Sequence, residues 1–158
     1  MHLAERLELP DPYTARPYRG ATDHPAIVDV LTAHRVANGD AELPTVAQVD
    51  ITYANLHDCD PDRDIALIEA GGSVVAYTRA SFDDLAGGTR DCIVFAPTLP
   101  EHVSRELWTA IVAANEAHMA SWASDVERAQ YRAYAVHPGP ELPAVGEAAW
   151  LEDRGYSA

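Results

Sequence analysis

Asp58, Asp60, Asp62 and Asp64 alternate through the run HDCDPDRD, and Glu69 stands at the twelfth place counted from Asp58. That is the oxygen-donor spacing of a calcium loop, where carboxylates surround a hard cation. The sixth place of such a loop turns sharply and requires glycine, yet it holds Arg63, and Pro61 intrudes as well. The plainer reading is a solvated loop with Arg63 paired to its acidic neighbours. None of the seven histidines forms an H-x-x-x-H or H-E-x-x-H pair, and His34 and His118 fall on helical stripes, as partly buried, satisfied residues do. Cys59 and Cys92 show no ligand spacing and read as reduced thiols. No Gly-x-Ser-x-Gly elbow or Cys–His signature supports hydrolysis. The expectation is therefore no metal and no nucleophilic centre.

The elements that would carry these groups can be read from spacing. Residues 1–12 mix apolar and charged side chains and end in Pro10 and Pro12, an arm. Residues 13–19 alternate as a strand, and Pro17 confines that strand to a sheet edge. Thr22 or Asp23 caps a helix carrying Ile27, Val30, Leu31 and His34, stopped by Asn38-Gly39. Thr45 with Gln48 forms a capping box for a second helix with Val46, Val49, Tyr53 and Leu56 on one stripe. The runs 64–70 and 73–82 flank Gly71-Gly72, a two-residue hairpin signal. After a loop at 83–88, residues 89–96 form a strand. Thr98 with Glu101 then caps a long helix whose stripe holds Val103, Leu107, Ile111, Ala114, His118 and Trp122. A strand at 130–136, a loop with prolines at 138, 140 and 143, and a helix at 144–154 ended by Gly155 complete the chain.

A length of 158 residues, with 47% hydrophobic and 23% charged, suits one globular domain. No apolar run nears the roughly 18 residues of a membrane span, and residues 1–10 lack a signal-peptide stretch, so a cytoplasmic protein without a membrane partner is expected. The formal net charge of −14, with only 11 scattered basic residues, argues against nucleic acid and anionic membranes; it would favour a cationic or amine-bearing partner, although surface acids that serve solubility are the plainer reading.

The order strand, helix, helix, strand, strand, strand, helix, strand, helix resembles the GNAT superfamily of acyl-CoA-dependent N-acetyltransferases. YTARPYRGATDHPAIVDVL is similar to its first strand and helix. DPDRD followed by IALIEAGGSVVAYTRA resembles the loop and hairpin of its tandem-domain, mycothiol-synthase-like actinobacterial members, and AAWLEDRGY resembles its closing helix. The resemblance implies an α/β (α+β) fold with a mixed, mostly antiparallel central sheet flanked by helices. It also implies acetyl-CoA as co-substrate and a small amine as acceptor.

In that family the turn before the long helix follows R/Q-x-x-G-x-G/A, because backbone amides must closely approach a diphosphate. By resemblance the coenzyme positions here are Ala96, Thr98, Val103, Ser104, Arg105, Glu106, Leu107 and Trp108. Val103 replaces the Arg or Gln, and Glu106 and Trp108 take the glycine places. A carboxylate beside a diphosphate opposes binding, as does an indole in the space the phosphates need. A register shift restores no glycine, since none lies between Gly88 and Gly139. Leu151 stands where many members carry the tyrosine acid, with Tyr131, Tyr134 and Tyr156 as nearby alternatives, Tyr134 among them the candidate acid; the family's fourth-strand carboxylate base corresponds by resemblance to Asp91, the only acid of that strand. The implied function is an acetyltransferase-like domain with a degraded turn and weak or lost coenzyme binding. The alternative is a non-catalytic module that supports a second acetyltransferase domain.

The resemblance also implies two more strands after the closing helix, and the sequence stops at 156–158, where the first would start. Residues 13–158 are thus expected to form a single domain lacking its C-terminal hairpin. A further domain or a second copy would cover the edge of the fifth strand.

Overall fold

Gly71 and Gly72, with φ of 57° and 80°, adopt the left-handed conformation that a tight hairpin turn requires. They join β2 (Ile65–Ala70) to β3 (Ser73–Leu85) in antiparallel register. β1 (Thr14–Pro17) pairs with the other side of β2 as the edge strand that Pro17 dictates. β4 (Thr89–Phe95) returns antiparallel along β3, and β5 (Arg128–Ala133) runs parallel to β4. The result, in a computed structural model describing residues 1–135 and 143–158, is an open five-stranded sheet in the order β1-β2-β3-β4-β5. Helices cover both faces. Among the described residues, no helix is long and apolar enough to cross a membrane.

One face receives the long helix α5 (Arg105–Ser124), whose Trp108, Val112 and Met119 join Ala66, Ala80, Cys92 and Val94 of the sheet in a core cluster. The closing helix, Glu147–Asp153, adds Leu151 to that cluster and ends at Gly155. The other face receives α2 (His24–Ala37) and α3 (Val46–Ala54), which bury Ile27, Val30 and Val49 against Ile65, Leu67 and Tyr77. Burying such side chains contributes roughly 2 kcal/mol each, so this two-sided packing fixes where every strand residue points.

Several expectations are corrected. The arm at residues 1–12 contains a helical turn, Leu3–Arg6, and Leu3 is fully buried in the core beneath α5. Asp64 is not a strand residue but ends the helical turn Pro61–Asp64, which Asp60 caps. Residues 83–85 continue β3 rather than forming a loop, because Asp83 and Asp84 pair with Asp91 and Arg90 of β4. The expected cap Asp23 makes no side-chain bond to its helix, since Arg16 grips both its oxygens at 2.8 and 2.9 Å. β5 begins at Arg128 rather than 130; Val136 and the prolines at 138 and 140 lie outside the described residues.

Candidate functional site

Three features follow β4. Its ladder with β5 stops at Val94 opposite Ala133, whereas its continuation stays on β3 in unchanged register through the Ala76–Thr98 bridge and the bond from the Leu99 amide to the Val75 carbonyl, 2.8 Å. A short turn, Pro100–His102, is then tied down by the Tyr13 hydroxyl on His102 Nδ1 at 3.0 Å. Finally Ser104, in extended conformation, caps α5: its Oγ accepts the Leu107 amide at 3.2 Å and its carbonyl accepts the Trp108 amide at 3.0 Å. Thr98 with Glu101 is therefore not the cap. Thr98 is buried in the extended ladder, and its hydroxyl donates to the Ala96 carbonyl at 3.2 Å.

The coenzyme positions inferred from resemblance thus divide. Ala96 and Thr98 lie along the continuation of β4, and Val103 is extended ahead of the cap. Leu107 and Trp108 have their side chains in the core and their amides engaged by Ser104, and the Trp108 ring centroid lies 6.4 Å from that of Trp150. The indole does not stand over the turn, which corrects the expectation that it fills the space of a diphosphate. The amides of Arg105 and Glu106 remain at the positive end of the helix dipole. Arg105 Nη2 holds Asp153 Oδ2 at 2.6 Å, whereas the exposed Glu106 carboxylate has no bonded partner among the described residues. Of the amides at the head of the helix, that of Leu107 is taken by the Ser104 side chain, those of Arg105 and Glu106 are not, and the unpaired Glu106 carboxylate stands beside them, with no glycine in the turn.

Asp91 is buried and both its oxygens are engaged, Oδ2 by Arg132 Nε at 2.5 Å and Oδ1 by Gln130 Nε2 at 2.6 Å. Each oxygen is thus tied to a side chain of β5, and the carboxylate links the two parallel strands. Tyr134, one residue past the end of β5, is 65% exposed and meets Phe95 edge-on at 6.0 Å. Leu151 packs in the core, and Tyr156 donates to Glu116 Oε1 at 2.9 Å while burial pushes its phenol up.

On the face opposite α5, a cleft of about 600 Å³ opens between α3 and the strands, with Asn55, Arg79, Ser81, Asp83, Phe95 and Tyr134 in its lining. Arg79 of β3 lies 5.3 Å from the ring centroid of Phe95 and 6.0 Å from that of Tyr53. Burial pushes Tyr53 well above the usual phenol range. Nearby, the Tyr18 hydroxyl lies 2.5 Å from His24 Nε2, and His24 Nδ1 meets Asp50. Burial pushes Tyr18 up to about 12, so that phenol is a poor proton donor and secures the corner between β1 and α2.

The acidic loop at 58–64 holds no metal-ligand cluster among the described residues. Its last acid, Asp64, is fully buried, and its Oδ1 takes His118 Nε2 at 2.8 Å and Arg63 Nε at 2.7 Å. Burial alone would raise the pKa of Asp64, but His118, Arg63 and the Asp60 amide outweigh it and bring it down to about 2. His118 is thus bonded through Nε2, while its buried Nδ1 has no partner among the described residues, and the pair anchors α5 to the sheet.

No protein-family model matches the chain, nor does any curated protein. Solved structures do. A GCN5-related N-acetyltransferase from Sphaerobacter thermophilus aligns at TM-score 0.58 and 24% identity over 73% of this chain and 35% of its own. A predicted acetyltransferase from Clostridium acetobutylicum, solved with acetyl-CoA, aligns at TM-score 0.60 and 10% identity over 92% and 90%. A tandem GNAT protein from the clavulanic acid biosynthesis pathway aligns at 0.58 and 20% over 90% and 42%. The chain therefore has the GNAT acetyltransferase fold, while spanning about a third of the Sphaerobacter protein and under half of the tandem one.

Proposed function

We propose that this chain is an N-acetyltransferase-type domain, built to pass an acetyl group from acetyl-CoA to a small amine, whose hold on the coenzyme is weak. The fold supports the reaction class, and the C. acetobutylicum relative was solved with acetyl-CoA. The observation that carries the weak hold is the first turn of α5, where the Ser104 cap and the Glu106 carboxylate occupy the place of a glycine-lined cradle. Repulsion between one carboxylate and one phosphate charge is about 1 kcal/mol in water at contact and several times that near a surface. Calorimetric titration of acetyl-CoA tests the reading, with a dissociation constant weaker than about 100 μM expected.

A second reading is a non-catalytic module that supports a further domain of the same fold. It is favoured by the groove of about 1010 Å³ beside β5, lined by Tyr131, Ala133, Leu151 and Tyr156, whose outer edge no strand covers among the described residues. A monomer in solution whose β5 amides are protected from exchange would count against it.

A further inference from the structure

The chain contains no lysine, so its 11 Lys-or-Arg positions are all arginine, set against 25 acids. Carboxylates grip six of them: Arg16, Arg63, Arg90, Arg105, Arg132 and Arg154. Arg79 is different. It is half-buried in the floor of the cleft, between the rings of Tyr53 and Phe95, without a hydrogen bond or ion pair among the described residues. Ring faces hold a guanidinium by its plane and leave its N–H edge unused. That edge is a rigid fork of donors matched to a carboxylate. In so acidic a chain, an arginine with no ion pair among the described residues, inside a cavity of ligand size, has donors suited to an anion. Asp83 lies on the same face of β3, four residues or about 13 Å farther along, so the cleft is positive at one end and negative at the other.

From this arrangement we propose that the cleft takes a small amine that also bears a carboxylate, received by the N–H edge of Arg79 between Tyr53 and Phe95. The acidic field and Asp83 favour the amine, and Arg79 selects among amines for those with an anionic group. Calling this ligand the acceptor rests on the acetyl-transfer reading; its binding does not.

The test titrates the whole chain with β-alanine and with its uncharged amide, 3-aminopropanamide, following the Tyr53 and Phe95 ring resonances by NMR. β-Alanine is expected to bind about 10-fold more tightly than the amide, the scale of a charge-assisted bond. Arg79→Gln is expected to abolish that preference, while Arg79→Lys, which keeps the charge but loses the fork, restores part of it. Equal binding of the two probes by the native chain, a preference that survives Arg79→Gln, or unmoved ring resonances at tens of millimolar β-alanine would each overturn the proposal. Acetyl-CoA is absent throughout, so a chain that selects β-alanine yet ignores the coenzyme would sink the transferase reading alone.

Discussion

The turn at the head of α5 and the cleft beneath α3 sit on opposite faces of one sheet and have opposite characters. In the turn, the Ser104 side chain takes the Leu107 amide, Asp153 takes the Arg105 guanidinium, and the side chain left unpaired among the described residues is the Glu106 carboxylate. In the cleft, a guanidinium is left with donors to spare and aromatic walls to hold it. On the proposed reading, the two regions differ in which side chain is left unpaired, a carboxylate in the turn and a guanidinium in the cleft, and not in the backbone that carries them.

Substitutions can break or sharpen that contrast. The largest effect is expected from Trp108→Ala, which removes an indole buried between α5 and the closing helix and should cost about 4 kcal/mol in urea unfolding. A near-neutral result would put the indole back over the turn. Next, Asp64→Asn leaves His118 and Arg63 without their buried carboxylate and should cost about 3 kcal/mol. The folded pKa of Asp64, about 2, lies below its unfolded value of 3.8, so its stabilisation is complete above the unfolded value and fades as pH falls from there toward 2. Acid unfolding of native chain and variant should therefore converge at the bottom of that window. Parallel curves would show that α5 is anchored otherwise. Ser104→Ala is expected to cost about 1 kcal/mol, the loss of one cap, in the same unfolding experiment.

Much of the scaffold was legible because its signals are local. Gly71-Gly72 set the hairpin, Thr45 with Gln48 capped α3, and Pro17 placed β1 at an edge, each through bonds spanning a few residues. The start of α5 was not. Thr98 and Glu101 satisfy the capping pattern better than Ser104, but Ala76 of β3 holds Thr98 in the ladder, a contact outside any local window. For the same reason Asp91 read as a free acid, when its partners Gln130 and Arg132 arrive with β5. Arg79 drew no notice in an apolar strand because its setting is assembled by Tyr53 from α3 and Phe95 from β4.

The most direct test is calorimetric titration of acetyl-CoA into the native chain and Glu106→Gly, which removes the acid and admits close approach without disturbing the buried Trp108. The native chain should bind more weakly than about 100 μM, and the variant about fivefold to tenfold more tightly. Micromolar binding by the native chain, left unchanged or weakened by the substitution, would contradict the account.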